Sequence, residues 1–550
     1  MGTWASETFA GLSLEEKVGQ AICYRASKWR EDTVDLARKG LMGACSPGYY
    51  QGMRTLEALV GFMNELLEAA PIPPFFISSH ASARPELGAT PFPGENSSMI
   101  FGAAGDPDLA RECARLVSLE SKAMGYDMVW EPCVDVNTEP RNPIIGTRSY
   151  SDRAELVAEM AAAVVAGMQE SRVIPNAKHY PGHGDTAFDT HVQIGTVPHE
   201  RARLDAVELY PYKQLVQEGL RGIMTAHLIF PALDPDTRLP ATFSRKALYD
   251  VLRGELGYTG LIVSDSLTMK AIKDNFSVAE AAVMAFNAGH DIILQDYNEP
   301  PEPTLEALVQ AVQDGRIPME ELDASVMRIL EAKEWCGLHR RAHIDLQDVR
   351  RLFCNEAHMA VMEDAYQAGV TLLEASAAAP QAEEKTCLIY TVSPEEGRAL
   401  EDMEQTVETS CGVFFGQCEG RLGETVRHML PEDPTEEDVS AAMQASADCD
   451  SVIFATTPRI VCYKELSGAV GQGQPQLVQQ LLDGGKTVNL CVFGNPFVLA
   501  DFPKPQRCLT TYSSRIPAVR AGLSVLFGES VAPGRLPVTI PDRYEFGHGL

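Results

Sequence analysis

This sequence of 550 residues is poor in paired cysteines, in basic charge and in long apolar runs, and each shortage excludes a class of protein. Its thirteen cysteines, scattered from Cys23 to Cys508, include no Cys-x-x-Cys pair, so neither a disulfide framework nor the usual zinc-ligand spacing is present. Buried reduced thiols are the remaining reading, and they fit a reducing cytoplasm. With 46 Lys and Arg against 76 Asp and Glu, the formal net charge of -30 repels polyanions. Nucleic acid and anionic membrane surfaces are thereby excluded as sequence-independent partners, and a small-molecule partner is expected. No stretch reaches the roughly eighteen apolar residues of a membrane span. The opening MGTWASETFAGLSLEEKVGQ has no basic segment leading into an apolar core, so a soluble, unexported, cytoplasmic protein is expected. Nothing in the sequence speaks to oligomeric state.

What is present is ample apolar material, 45% of residues, in a chain too long for one ordinary domain. Ser13-Leu14-Glu15-Glu16 has the pattern of a capping box and predicts a helix start before Val18. Short apolar runs then alternate with helical stretches: PPFFISS (73–79), DMVWEPCVDV (127–136), VIPNAKHY (173–180), GLRGIMTAH (219–227), GLIVSD (260–265) and GHDIILQ (289–295). Strand and helix in repeated alternation predict an α/β fold with a parallel sheet, read as a TIM-like (β/α)8 barrel over residues 1–340. Three of these runs end in reactive groups: Lys178 and His179, His227, and Asp265. In a β/α barrel such positions build one pocket; the alternative is that each side chain caps the next helix.

Residues 341–380 read as a helical connector that loosens at EASAAAPQAEEK, and 381–550 as an α/β sandwich domain. Its strands are expected at 386–392, 412–416, 451–457, 487–493 and 507–513, with a helix at QPQLVQQLLDG.

The stretch KHYPGHGDTAFDTH (178–191) concentrates three of the twelve histidines. His179 and His183 are four apart, the spacing of a zinc-binding helix, but Pro181 and Gly182 between them oppose a helix. PGHGDT also lacks the phosphate-loop pattern. A turn-rich loop with locally hydrogen-bonded histidines is one remaining reading for His183. Asp189 and His191 offer a sharper one. A carboxylate two residues before an imidazole accepts its N–H, orients the ring and stabilises the imidazolium, making a general acid/base. Asp265, after the apolar GLIV, is the candidate nucleophile to partner it, because Ser264 and Ser266 are there to cap the following helix.

AKHYPGHGDTAFDTH, GLIVSDSLTMKAI, NPIIGTRSYSD and the terminal GRLPVTIP with FGHGL resemble family 3 glycoside hydrolases, in the β-N-acetylglucosaminidase branch, over nearly the whole chain. The resemblance implies a β/α barrel followed by an α/β sandwich and a retaining exo-β-glycosidase acting on a small carbohydrate. It implies Asp265 as nucleophile and His191, oriented by Asp189, as acid/base. It places Lys178, His179 and Arg148 on sugar hydroxyls; a structural ion pair is the other reading of Arg148. His227 is expected to line the pocket without an assigned role, and Glu131 and Asp135 to brace the cationic residues. No metal or organic cofactor is called for. A histidine acid/base in place of a second carboxylate does not repel an anionic acceptor, which keeps phosphorolysis open beside hydrolysis. A non-catalytic sugar-binding relative is the third reading.

One motif departs from the family. Its members carry Asp-x-Glu-Gly-Gly at the end of an early strand, whose aspartate grips the sugar's outer hydroxyls, where this chain reads FFISSHASARPELGATPFPG, with Ser78 or Ser79 in the carboxylate's place. Reduced activity, another acid recruited to the pocket, or a substrate substituted at its non-reducing end would each account for the loss. On the last, Ser78, Ser79, His80 and Arg84 supply donors to a carboxylate, sulfate or phosphate that an aspartate would repel. The plain alternative is that His80 and Arg84 face solvent.

Overall fold

A computed structural model describes the chain except residues 1, 27–29, 48–52, 54, 79–88, 95, 190–193, 237, 296–299, 354, 394–408, 462–463 and 465–466. Ser79, His80, Arg84 and His191 therefore lie outside the described residues.

The first barrel helix begins as expected. Ser13 Oγ accepts from Glu16 N at 3.2 Å while Ser13 N donates to Glu16 Oε2 at 2.8 Å, capping Leu14–Gln20 from both sides. Ten strands follow in chain order: β1 (Ile22–Arg25), β2 (Ala44–Ser46), β3 (Phe75–Ser78), β4 (Met128–Val129), β5 (Ile174–Tyr180), β6 (Gly195–Thr196), β7 (Gly222–Thr225), β8 (Leu228–Ile229), β9 (Leu261–Val263) and β10 (Ile293–Gln295). Eight of them form one sheet in the order β10-β1-β2-β3-β4-β5-β7-β9, and β6 pairs with β8 apart from it. The large sheet is parallel throughout, and a bridge between Val263 and Ile292 brings β9 back to β10. This is the TIM-like (β/α)8 barrel. All seven residues of β5 are buried, Asn176, Lys178 and His179 among them, and β9 is an unbroken apolar run.

At the N-terminal ends of the strands two buried carboxylates are saturated by cations. Asp127, just before β4, meets Arg341 Nη2 at 2.7 Å and Lys122 Nζ at 2.8 Å; Asp291, before β10, meets Arg253 and Arg328, each at 2.8 Å. This is the end of a barrel where charge pairs serve stability.

The second sheet has six strands: β11 (Thr371–Ala375), β12 (Thr386–Val392), β13 (Thr425–Pro431), β14 (Ser451–Thr456), β15 (Thr487–Val492) and β16 (Arg507–Thr510). Their order is β11-β16-β15-β14-β12-β13, with only β11 antiparallel to its neighbour. Three elements differ from expectation, the first being strand β13, which no expected strand covers. Residues 412–416 are helical, within Ser410–Glu419, because Thr409 Oγ1 caps Gly412 N and the buried Cys411, Phe414, Phe415 and Cys418 fall on one helix face. Residues 371–375, expected in the connector, are the edge strand β11.

The chain divides into two compact units, Met1–Glu95 with Ala110–Val136 and Ala161–Met359, and Asn96–Leu109 with Asn137–Met160 and Ala360–Leu550. Residues 96–109 and 137–160 thus cluster with the C-terminal part although they fall before 340. The helix Met99–Ala104 explains the first of these segments, since Met99, Ile100 and Ala103 are buried in the core built on the second sheet. The eleven described cysteines are buried and none of them is in a disulfide. No helix among the described residues is long and apolar enough to cross a membrane.

Candidate active site

The C-terminal ends of β5, β7 and β9 share one rim, because these strands are adjacent and parallel. Tyr180 pairs with Thr225 and Met224 with Val263, so Lys178 and His179, His227, and Asp265 leave the sheet at one end.

Lys178 is buried, and its Nζ donates to the carbonyl of Trp130 and to Glu131 Oε1 at 3.4 Å. Glu131 Oε2 in turn accepts from Cys133 N at 3.1 Å. His179 Nδ1 lies 2.8 Å from Asp135 Oδ2, and the backbone N–H of His179 donates to the same carboxylate at 3.1 Å. His183 N reaches Asp135 Oδ1 at 2.6 Å and Cys133 Sγ reaches Oδ2 at 3.1 Å. Asp135 therefore sits fully buried at the centre of a fan of donors. Burial alone would raise its carboxyl, but the His179 imidazole beside it, with His183 and the Cys133 thiol, holds it well below the usual carboxylate range. Hydrogen bonds to a charged group are each worth about 1.5–3 kcal/mol, so this fan fixes the end of β5 and the start of the loop after it.

His227 is 2% exposed. Its Nε2 is 3.0 Å from the Ser266 carbonyl and its Nδ1 2.7 Å from Thr242 Oγ1. A carbonyl only accepts, so Nε2 carries a proton and the ring ties the end of β7 to the loop holding Asp265. Asp265 is half-buried, and its Oδ1 accepts from Ser266 N at 2.7 Å.

Asp189 is half-buried in the loop after β5, two positions before the undescribed His191. Ser78 ends β3 and its carbonyl accepts from Trp130 N at 3.0 Å. Arg148 ends a 3-10 turn in the second compact unit, its Nη1 donating to Ile144 O at 2.7 Å.

Among the described residues, two groups have donor atoms close enough to share an ion: Cys133, Asp135 and His179, and Asp185, His199 and Glu208. In the first the Asp135 oxygens already accept N–H and S–H protons; in the second Glu208 is paired with Arg203 at 2.7 Å. His179 and His183 are not presented by a helix; their rings meet edge to face, centroids 5.8 Å apart.

The profile described as the glycosyl hydrolase family 3 N terminal domain matches residues 13–332. The chain belongs to glycosyl hydrolase family 3. A structure from Paenibacillus sp. str. FPU-7, described as a family 3 β-N-acetylglucosaminidase, superposes on this hydrolase with a TM-score of 0.84 at 30% identity, covering 96% of this chain and 99% of that one. The β-N-acetylglucosaminidase/β-glucosidase of Cellulomonas fimi is 25% identical over 551 residues, 97% of this chain and 95% of its own. A structure described as the β-glucoside phosphorylase BglX shares the fold, with a TM-score of 0.83 at 22% identity, covering 98% of this chain and 95% of that one. As a family 3 member the protein is a glycoside hydrolase, and the barrel rim described above lies in the matched segment.

Proposed function

We propose that this hydrolase is a retaining, exo-acting β-N-acetylhexosaminidase with Asp265 as nucleophile and His191, oriented by Asp189, as acid/base. Asp265 attacks the anomeric carbon as the glycosidic C–O bond breaks, and His191 passes its proton to the leaving oxygen. His191 then takes a proton from water, whose oxygen displaces the Asp265 carboxylate from the same carbon; two displacements retain configuration. Lys178 and His179 hold the sugar's hydroxyls, with His179 turned by Asp135 so that Nε2 faces away from that carboxylate. His227 acts through the loop after β9, positioning Asp265.

The observation that carries this reading is the gathering of Lys178, His179, His227 and Asp265 on adjacent strand ends of a family 3 barrel. The descriptions of the Paenibacillus and Cellulomonas proteins support the choice of sugar. The serine at the end of β3, where the family has an acid, adds a finer proposal: the substrate carries an anionic substituent at its non-reducing end, met by Ser78, Ser79, His80 and Arg84.

The test is kcat/KM across aryl β-glycosides. Preference for the β-N-acetylglucosaminide over the β-glucoside supports the assignment, and the reverse order overturns it. A wide preference for the plain sugar over its 6-sulfated or uronic counterpart removes the anionic substituent. Sugar 1-phosphate formed in phosphate buffer makes the protein a phosphorylase, whereas a hydrolase releases free sugar alone.

A further inference from the structure

The loop after β5 is bracketed by contacts that the chemistry above does not use. Asp185 near its start and His199 near its end, fourteen residues apart, meet through Asp185 Oδ2 and His199 Nε2. Glu208 stands behind them, 3% exposed, with donor atoms of all three residues within 4.8 Å of one another and Arg203 Nη1 bound to its carboxylate at 2.7 Å. Inside this bracket, Phe188 lies against Gly195: a Cβ on Gly195 would fall 1.8 Å from both Cε2 and Cζ of the ring. Gly195 and Thr196 are themselves tied down, since β6 pairs with β8 and Val197 N donates to Ile229 O at 2.9 Å. That pairing begins one residue after His227.

The geometry points to Asp185, His199, Phe188 and Gly195 as positioning residues for the acid/base: together they clasp the loop so that Asp189, the next residue after Phe188, is held in one place. This inference rests on the proposed role of Asp189 and His191. The physical ground is that a general acid must be held within hydrogen-bond reach of the proton's acceptor, and a loop of this length has no such precision without ties across its base. Glycine at 195 is required by the ring seated on it, not by backbone conformation, so a side chain added there is a local probe.

The test compares Gly195→Val, His199→Ala and Asp185→Asn with wild type and with His191→Ala on two β-N-acetylglucosaminides, one with an activated aryl leaving group and one with a poor alkyl leaving group. Only the poor leaving group needs its oxygen protonated. The clasp predicts that each variant loses at least about tenfold in kcat/KM on the alkyl glycoside and less than about threefold on the aryl glycoside. Equal losses on both substrates, or no loss in His199→Ala and Asp185→Asn, overturn it. Should Gly195→Val unfold, the other two variants decide. His191→Ala separates the two ideas: if it shows the selective loss and the clasp variants do not, the clasp falls and the acid/base assignment stands. If His191→Ala loses equally on both, the acid/base assignment falls, and the clasp as a positioning device for it.

Discussion

The Asp135 carboxylate and the His179 imidazole, 44 residues apart in sequence, meet at 2.8 Å in the fully buried floor of the barrel rim. Aspartate there accepts from a ring nitrogen, two backbone N–H groups and a thiol, and no neutral side chain of that shape does the same. In Asp135→Asn an amide N–H is turned toward donors it cannot satisfy, with a cost of about 1–3 kcal/mol and a freed His179 ring. The expected result is a fall of about a hundredfold in kcat/KM with a cooperative melt retained. Wild-type kinetics in a folded Asp135→Asn protein would rule out the bracing role.

Asp265 is expected to behave differently. It is half-buried on the rim, where its Oδ1 accepts from the adjacent Ser266 N. Asp265→Asn and Asp265→Gly should abolish turnover while leaving the thermal midpoint within a few degrees of wild type. Turnover in either variant at anything near the wild-type rate removes Asp265 as nucleophile.

The opposite end of the barrel gives the converse outcome. Asp127, fully buried, satisfies Arg341 at 2.7 Å and Lys122 at 2.8 Å and accepts from Phe76 N at 3.3 Å. Burial raises its carboxyl, but the two cations outweigh that and hold it below the ordinary aspartate value. Asp127→Ala strands both cations and should cost about 3–5 kcal/mol of stability. Because the residue precedes β4 at the N-terminal end, kcat/KM per folded molecule should not change. Denaturant melts and active-site-normalised rates check this, and a large loss of kcat/KM in the folded fraction would contradict it.

These residues differ in how plainly the sequence announces them. Parallel strands buried on both faces are rich in apolar residues, as LIV in β9 is, so Asp265 just after that run and Lys178 and His179 near the end of β5 stand out. Asp135, expected only to brace the cationic residues, lies in the apolar stretch 127–136, and the fold alone carries it beneath His179. His227 shows the reverse problem. Its strand-end position reads as pocket lining, yet Thr242 and Ser266 engage both ring nitrogens, partners that no local pattern reveals. In the second sheet the edge strand β13 carries Arg427, His428 and an exposed Met429, leaving no apolar run to read. The β-forming composition of GVFFG hides a helix whose start is set by Thr409.

Lys333 supplies a prediction in pH. It is fully buried in the helix Met319–Cys336, its Nζ 2.7 Å from Gln20 Oε1 and 5.5 Å from the Phe75 ring centroid. Burial pulls its pKa down from 10.5 to about 7, with Asp127 opposing the shift. Below that value the lysine is charged in both folded and unfolded chains, and the folded state bears the whole desolvation cost. Between about 7 and 10.5 the unfolded chain holds a proton that the folded chain has released, so stability rises with pH across this window. Lys333→Met removes the titration. The stability of wild type relative to Lys333→Met should therefore improve by a few kcal/mol between about pH 6 and about pH 10. Urea midpoints of the two proteins at those pH values measure the difference. A gap independent of pH would mean that Lys333 titrates in the folded protein as it does in water, and that its burial is relieved by solvent.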